Sequence, residues 1–261
     1  MNILQKIVAD IQKDLVFKKQ ITPIKTLEAM PMFTRQTNSF RERILGSTNG
    51  IIAEHKRRSP SKPNLNFSLR VTDVARGYEK AGVSAMSVLT NQQYFGGSLE
   101  DLLLARQACN LPLLRKEFIV DGYQVIEAKA YGADAILLIA ACLDRDEIYH
   151  LSTLAHDLGL EVLLEVHNAE ELQKSIMPSL DLIGVNNRDL TTFAVSTETS
   201  MKLADDIPDD FVKISESGLS KPISVLELQS CGYHGFLMGE HFIKTDDPGE
   251  AASTFIKELL S

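Results

Sequence analysis

The sequence predicts a (β/α)8 TIM barrel with an N-terminal helical extension. Eight short apolar runs recur along the chain, and amphipathic helical segments separate them. The runs are continuous rather than alternating, which is typical of strands that are covered on both faces. Their starts lie roughly 20 to 35 residues apart, which leaves room for a strand, a helix and two loops. Eight such units in about 210 residues favour a closed parallel barrel.

The eight predicted strands span residues 51–54, 85–89, 111–115, 135–139, 161–165, 181–185, 212–215 and 235–238. Four helical segments end at Gly82, Gly132, Gly159 and Gly232, shortly before a strand. Glycine suits these positions because the left-handed conformation that closes a helix penalises a Cβ. A doubly wound open sheet is the alternative, but no GxGxxG follows the first strand to favour it.

The chain before the first strand contains two helical patterns, at about 2–18 and 36–45. We interpret residues 1–48 as an extension packed on the barrel and residues 49–261 as the catalytic barrel. No low-complexity linker separates them. The chain ends soon after its last helical segment, so we expect no second enzyme fused to it.

Composition restricts the class of protein. The 261 residues are 44% hydrophobic and 24% charged, which is ordinary for a globular chain. A net charge of −8 argues against a broad nucleic-acid or anionic-membrane surface, although a local site can still bind a small anion. No window holds 18 uncharged apolar residues, and Asp and Lys interrupt the N-terminal apolar residues. We therefore expect no membrane span, no secretory signal and a cytoplasmic location.

The three cysteines and six histidines do not predict a metal site. Cys109, Cys142 and Cys231 are far apart and form no CxxC pair, so a disulfide framework or cysteine-rich zinc site is not expected. The histidines show no HExxH spacing. His55 should face the helix layer as a packing residue, whereas His167 is either a base or a residue near a helix cap.

Polar residues follow most of the predicted strands. They include Glu54 and Lys56 after the first strand, Lys116 after the third, Glu165 after the fifth, Asn186 and Arg188 after the sixth, and Glu216 after the seventh. The carboxyl ends of barrel strands meet at one mouth, where partial burial shifts pKa values. The sequence therefore predicts an active site at this mouth.

The last two strand ends predict a phosphate site. "SESG" supplies Ser217 and Gly218, and "MGE" supplies Gly239 and Glu240, each just before a helical segment. Barrels often hold a phosphate between these two loops, on backbone N–H groups and a short helix N-terminus. Two ordinary strand-to-helix turns remain the alternative, because Ser and Gly are also turn residues.

Four motifs together resemble the indole-3-glycerol phosphate synthase family. They are "EHKRRSPSK", "LLRKEF", "LEVHNAEEL" and "IGVNNRDL", and the resemblance runs in order from about residue 35 to 260. That family is a barrel with an N-terminal helical extension. It closes the indole ring in tryptophan biosynthesis by converting 1-(2-carboxyphenylamino)-1-deoxyribulose 5-phosphate, with loss of CO2 and water and without a cofactor.

The resemblance implies roles for the strand-end residues. Lys116 is the general acid, Glu165 is its partner in the dehydration, and Lys56, held by Glu54, binds the anionic groups of the substrate or donates a proton. Either lysine could act in the later step. The resemblance also implies that Asn186 and Arg188 orient the substrate and that Glu216 contacts a sugar hydroxyl or a catalytic lysine. It implies a phosphate site formed by Ser217, Gly218, Gly239 and the backbone of Glu240. Phe95 and Phe118 are expected beside the aromatic ring, and Ser61 is expected to bind substrate from the first loop. Arg57 and Arg58 are expected to be solvated flank charges.

The sequence departs from the family pattern at His55, Pro63, Glu117 and Asn91. His55 replaces an apolar or aromatic residue, Pro63 a frequent Gly, and Glu117 and Asn91 two frequent Asp residues. Pro63 should stiffen a loop that is thought to close over the substrate. None of the four is a residue to which proton transfer is assigned.

Two rival functions remain at this point. One is another phosphate-handling barrel, such as a sugar-phosphate isomerase or a Schiff-base aldolase that uses Lys116; phosphoribosylanthranilate isomerase is disfavoured because the first strand has no Cys. The other is a non-catalytic relative that binds an anionic metabolite or a protein. We expect an anionic small-molecule substrate, no cofactor or metal, no nucleic-acid partner, and a monomer for which weak association with other enzymes of the pathway stays open.

Overall fold

The predicted barrel is confirmed by the computed structural model, which describes residues 3–60, 62–189 and 192–261. Its strands are β1 (Ile51–His55), β2 (Ala85–Leu89), β3 (Leu113–Lys116), β4 (Ala135–Ile139), β5 (Glu161–Val166), β6 (Leu182–Asn186), β7 (Val212–Glu216) and β8 (Gly235–Met238). All eight are parallel to their neighbours and pair in chain order. The barrel closes where β1 pairs with β8, with Ile51 opposite Phe236.

The helices surround the barrel and precede it. They are α1 (Ile3–Ile21), α2 (Ile24–Glu28), α3 (Phe40–Leu45), α4 (Val71–Ala81), α5 (Gln92–Phe95), α6 (Leu99–Ala108), α7 (Gly122–Ala130), α8 (Arg145–Asp157), α9 (Ala169–Ser175), α10 (Glu198–Leu203), α11 (Pro222–Ser230), α12 (Glu240–Ile243) and α13 (Pro248–Leu259). The four glycines predicted to close helices all have positive φ, between 71° and 88°.

Successive strand residues alternate between the barrel interior and the helix layer. The lower interior is filled by an apolar cluster composed of Phe40, Ile44, Ile52, Ala85, Leu114, Ala135, Leu137, Ile139, Leu163, Leu182, Val212, Ile214 and Leu237. One inward position further along their strands come Glu54, Lys116, Glu165 and Glu216. The apolar core therefore ends directly beneath a layer of charged residues. The two-residue period of the strands directs these side chains into the barrel interior.

Asp134 joins the N-terminal segment to the bottom of the barrel. It is fully buried at the start of β4. Its Oδ1 accepts hydrogen bonds from Arg35 Nη2 and the Asn38 backbone N–H, both at 2.7 Å. Its Oδ2 accepts from Arg106 Nη1 and the Leu113 N–H, both at 2.8 Å. One carboxylate thus joins the segment before α3, helix α6 and strand β3.

The predicted helix 36–45 is wrong over its first four residues. The Asn38 backbone N–H instead donates to Asp134, and Ser39 is the extended N-cap that accepts from the Glu42 N–H. α1 is longer than predicted, and its Ile7, Ile11 and Leu15 pack in a separate apolar cluster against α7.

Arg57 is also not the solvated charge that the sequence suggests. Its two terminal nitrogens bind both carboxylate oxygens of Asp101 at 2.5 and 2.8 Å, and Nη1 also donates to the Gly96 carbonyl. Arg58, which is half-buried, donates to the Gln92 carbonyl at 2.6 Å. Both arginines therefore fix the first loop to the α5 region instead of extending into solvent.

His55 faces the helix layer and is 1% exposed, and neither ring nitrogen has a hydrogen-bond partner among the described residues. Burial, and then the charge of Arg57, lower the pKa of His55 to about 4, against the opposing effect of Asp101 and Glu54. The folded pKa lies below the ordinary value, so the neutral ring is favoured in the folded state. The contribution of neutral His55 to the free energy of unfolding is therefore fully present above pH 6.5 and is lost as the pH falls from 6.5 towards 4.

We expect His55→Leu to lose this pH dependence. Between pH 7.5 and 5 the wild type should lose about 2 kcal/mol of unfolding free energy through His55, and the variant should not. The variant should also be at least as stable at pH 7.5, because it buries no unpaired ring nitrogen. Urea unfolding at the two pH values measures both effects. Equal pH dependence in the two proteins would contradict this account.

Candidate active site

A cavity of about 590 Å³ opens at the carboxyl ends of the strands. Every predicted site residue that the structure describes lines it, namely Glu54, Lys56, Phe95, Lys116, Phe118, Glu165, Asn186, Arg188, Glu216, Ser217, Gly218, Gly239 and Glu240. Ser61 lies outside the described residues. Residues from β1 to β8 and the loops after them therefore converge on one space, as the barrel topology requires.

Lys116 is the centre of the site. Its Nζ lies 3.2 Å from Glu165 Oε2 and forms a short ion pair with Glu216 Oε2. Burial alone would lower the pKa of Lys116, but the charges of Glu216, Glu165 and Glu54 raise it overall. The ammonium is therefore retained at neutral pH, although only 12% of the side chain is exposed.

The two carboxylates that bind Lys116 have different protonation tendencies. Burial tends to raise the pKa of Glu165, but Lys116, His167 and Asn186 outweigh it and hold that pKa below its usual value. In contrast, burial and the Glu165 charge raise the pKa of Glu216 to about 7, against the effect of Lys116. Glu216 Oε1 has no hydrogen-bond partner among the described residues. Glu165 is thus ionised, whereas Glu216 titrates near neutrality.

A second ion pair lies on the β1 side of the cavity. Lys56 Nζ donates to Glu54 Oε1 at 2.6 Å, and Ser87 lies 3.4 Å from the other oxygen. Burial opposes ionisation of Glu54, but Lys56 and then Lys116 lower its pKa overall. The pair therefore presents a fixed cation beside an ionised, buried carboxylate.

Asn186 and Arg188 extend the site along β6. Asn186 Nδ2 donates to Glu165 Oε1 at 3.1 Å, and Asn186 Oδ1 accepts from the Arg188 N–H at 3.0 Å. Arg188 Nη1 lies 3.3 Å from the Phe193 carbonyl. Asn186 thus orients Glu165 and fixes the start of the loop that carries Arg188.

The loop after β7 has an unusual backbone. Ser217 and Gly218 both have positive φ, 70° and 79°. A non-glycine residue in this region costs about 1–3 kcal/mol and is concentrated at functional sites. Asn187, which donates to the Ser217 carbonyl at 3.1 Å, holds the conformation in place. The strained loop lies on the cavity wall, as does Gly239 at the start of α12.

Gly184 makes room for Glu216. A Cβ on Gly184 would lie 2.4 Å from Glu216 Oε1, whereas a Cβ on Gly235, lower in the barrel, would lie 2.2 Å from Ile214 Cδ1. Gly184→Ala should displace the Glu216 carboxylate and lower kcat/KM roughly 10- to 100-fold, the scale expected when a catalytic group is misplaced by about 1 Å.

Gly235→Ala is the matched control for this prediction. Both variants should lose about 1–3 kcal/mol of stability through overpacking, measured by urea unfolding. Only Gly184→Ala should also lose activity per folded molecule. A similar loss of activity per folded molecule in both would mean that general strain in the barrel, not the position of Glu216, is responsible.

Sequence reasoning missed two parts of the cavity wall. Ile3, Leu4 and Ile7 of α1 line the mouth, although α1 is far from the strand ends in sequence. Lys62, in the loop after β1, lines it too and forms a short ion pair with Glu240. The apolar spacing in α1 signalled a buried helix face, but nothing in the sequence indicated which end of the barrel it covers.

Phe95 and Phe118 form one wall of the cavity. Their ring centroids are 6.2 Å apart and the ring planes are tilted by 33°. The two rings therefore contact each other, and an aromatic group of a ligand would pack against their shared surface instead of between them.

Among residues 3–60, 62–189 and 192–261, no group of His, Cys, Asp and Glu side chains has an arrangement that could hold a metal ion. Over the same residues, no helix is both long and apolar enough to cross a bilayer.

Known proteins resemble the chain along nearly its whole length. The sequence model of indole-3-glycerol phosphate synthases matches residues 4–256. The indole-3-glycerol phosphate synthase of Bacteroides thetaiotaomicron is 44% identical over 258 residues, which cover 99% of both chains. The chain belongs to the indole-3-glycerol phosphate synthase family. It is accordingly a carboxy-lyase of tryptophan biosynthesis.

One further relative agrees in family, and two solved structures agree in fold. The indole-3-glycerol phosphate synthase of Dechloromonas aromatica is 42% identical over 95% of this chain and 96% of its own. Among solved structures, a thiamine phosphate pyrophosphorylase from Pyrococcus furiosus superposes with a TM-score of 0.62 at 15% identity, over 85% of this chain and 98% of its own. A tryptophan synthase α-subunit from the same organism gives 0.61 at 14% identity, over 81% and 98%. These two likenesses concern the fold alone.

Two departures from the pattern of indole-3-glycerol phosphate synthases compensate each other. Glu117 Oε1 accepts from Asn91 Nδ2 at 3.2 Å, and its Oε2 accepts from Thr90 at 2.9 Å. An Asp at position 91 could not donate this bond and would place a second carboxylate against Glu117. Asn91 and Glu117 therefore suit each other, and both line the cavity.

Proposed function

We propose that the charged layer of this barrel performs ring closure, decarboxylation and dehydration of 1-(2-carboxyphenylamino)-1-deoxyribulose 5-phosphate, with Lys116 as general acid. The observation that carries this assignment is the Lys116 ammonium, bound by Glu165 and Glu216 at the floor of the cavity. Protonation of the ketone oxygen makes the carbonyl carbon electrophilic towards the aromatic ring. Loss of CO2 then restores the aromaticity of that ring.

The raised pKa of Lys116 supports this role and opposes the Schiff-base alternative. An amine must be neutral to attack a carbonyl, and three carboxylates around Lys116 favour its charged form. A charged ammonium is, in contrast, the form that a general acid requires. The geometry thus favours proton donation over imine formation.

Glu165 is the proposed base of the dehydration. It is ionised, it contacts Lys116, and Asn186 orients it. It would accept a proton from the ring system while Lys56 or Lys116 protonates the departing hydroxyl. Lys56, fixed by Glu54, also supplies positive charge for the anionic groups of the substrate.

The remaining contacts divide the substrate between the two sides of the cavity. We assign the phosphate to Ser217, Gly218, Gly239 and the backbone of Glu240, where two loops and the start of α12 meet. We assign the aromatic ring to the wall formed by Phe95 and Phe118. Arg188 would bind an anionic group, since its planar donor fork suits a carboxylate or phosphate. Ser61 is assigned to substrate binding through the resemblance alone.

The test of this assignment follows CO2 and indole fluorescence separately in a single turnover. The wild type should form both, against a low background because the chain contains no Trp. Glu165→Gln should release CO2 in an amount close to that of the limiting substrate, but form indole at least about 100-fold more slowly. Loss of both signals would reject the role of Glu165, and absence of product from the wild type would reject the function.

Beyond the reaction itself, we propose that residues 1–48 are an extension of the barrel and not a separate domain, because α1 lines the cavity. We also propose a cytoplasmic monomer that binds no nucleic acid, since the described residues assigned to the substrate all line one cavity of a single chain and the net charge is −8. Light scattering with and without the preceding pathway enzyme tests both the mass and any weak association.

A further inference from the structure

The proposed reaction consumes one proton in every turnover. The substrate carboxylate leaves as neutral CO2, and the ketone oxygen leaves as water. That water needs two hydrogens. One is balanced by the hydrogen that the substrate loses when the indole forms. The other is a proton from solvent, which also balances the charge. The site therefore has to be reloaded with a proton after each cycle.

Lys116 is poorly placed to take this proton directly from bulk water. Only 12% of its side chain is exposed, and the exposed part faces the cavity that the substrate fills. Among the described residues, the Lys116 ammonium makes hydrogen bonds to Glu165 and Glu216. A proton that reaches Lys116 while the cavity is occupied must therefore arrive through one of these carboxylates.

Glu165 lies next to His167, a histidine that does not line the substrate cavity. Its Oε1 lies 3.4 Å from His167 Nε2, a nitrogen that is buried and has no hydrogen-bond partner among the described residues. On the other side of the ring, His167 Nδ1 lies 3.0 Å from Glu171 Oε2, and the His167 backbone N–H donates to the same oxygen at 2.8 Å. Glu171 thus fixes the ring so that its free nitrogen points at the proposed base.

A second cavity reaches this histidine from outside. It has a volume of about 450 Å³, and both His167 and Glu171 line it, whereas neither lines the substrate cavity. Within the described part of the chain, the two cavities share four wall residues, namely Ile3, Leu4, Asn186 and Arg188. Solvent in the second cavity can therefore contact His167 while substrate occupies the first.

The charges around His167 support its protonation. They are Glu165 on β5, Glu171 on α9 and Glu216 on β7. Burial alone would lower the pKa of His167, but the hydrogen bond to Glu171 and these charges raise it overall. Lys174 helps to lower the pKa of Glu171.

We propose that His167, held by Glu171, is a proton-relay residue that reloads Lys116 through Glu165. After Lys116 has given up its proton, the imidazolium passes its Nε2 proton to Glu165, and Glu165 passes it to the neutral lysine. Water in the second cavity then returns a proton to the ring. Only N–H and O–H bonds change, and one solvent proton enters per turnover. This inference rests on the proposed function, because it requires that reaction to consume a proton.

The test compares the first turnover with the steady state in His167→Ala and Glu171→Gln. The first turnover uses the proton already on Lys116, so its CO2 release should stay within about twofold of wild type. Steady-state kcat should fall at least about tenfold, as expected when a positioned proton transfer is lost. Added imidazole buffer should restore most of the rate in His167→Ala. His156→Gln, which alters an exposed histidine paired with Asp181, is the matched control and should behave as wild type.

Three results would overturn the relay. Unchanged steady-state rates in both variants would mean that protons enter by another route. An equal fall of the first turnover and the steady state would mean that His167 only shapes the site. Failure of imidazole to restore His167→Ala at any concentration would exclude a missing proton donor. If the wild type itself forms no product, the proposed function fails instead, so product formation by the wild type separates failure of the function from failure of the relay.

Discussion

Lys116→Ala should abolish most of the turnover, with CO2 release and indole formation reduced together. Removal of the general acid should lower kcat about 10²- to 10⁴-fold, because the ketone is no longer protonated as the ring carbon attacks. Both signals fall because ring closure precedes the loss of CO2. This pattern differs from that of Glu165→Gln, in which CO2 should still be released.

Lys213→Ala is the matched control for this experiment. Lys213 is also a buried lysine on a barrel strand, but its Nζ donates to the Ala204 carbonyl in the helix layer. Its loss should reduce stability and leave kcat per folded molecule nearly unchanged. If Lys116→Ala retained more than about a tenth of the wild-type kcat, Lys116 would not be the general acid.

Asp134→Ala should have the largest effect on stability. The substitution removes one carboxylate that binds two arginines and two backbone N–H groups, all at 2.7–2.8 Å. Arg106 is itself buried and would lose its carboxylate partner. Breaking a buried charged network in this way costs about 3–5 kcal/mol.

The measurement is thermal unfolding, in which Tm should fall by at least about 6 °C for a chain of this size. Asp209→Ala provides the comparison, because Asp209 is fully exposed and lies 3.6 Å from its lysine. Tm should barely change in that control. A shift of less than about 2 °C for Asp134→Ala would mean that the segment before α3 is not held through this carboxylate.

The strand period explains why the site could be predicted from the sequence. Once the apolar runs are strands, Lys116 and Glu165 must point inward, two residues beyond Leu114 and Leu163 of the apolar cluster. The chain order of the strands then brings them to the same mouth. No long-range information beyond barrel closure was needed for these positions.

Other contacts depend on residues that no local pattern connects. Arg57 meets Asp101 across 44 residues, and Asp134 meets Arg35 across 99. Charges of this kind read as solvated in the sequence, because their partners become apparent only after the helices are packed. The position of α1 over the mouth was missed for the same reason, since its apolar face fits several grooves of a barrel equally well.

The pairing of β1 with β8 sets a schedule for synthesis of the active enzyme. Ile51 must wait for Phe236, so 185 residues have to leave the ribosome between the two halves of that seam. At about 5–20 residues per second this interval is roughly 9–40 s. Glu54 and Gly239 lie on either side of this seam, so they come into contact only after β1 and β8 have paired. The nascent chain therefore cannot bind substrate in its finished pocket until β8 has been synthesised, and during that interval the unpaired edge of β1 is exposed to other chains and to chaperones.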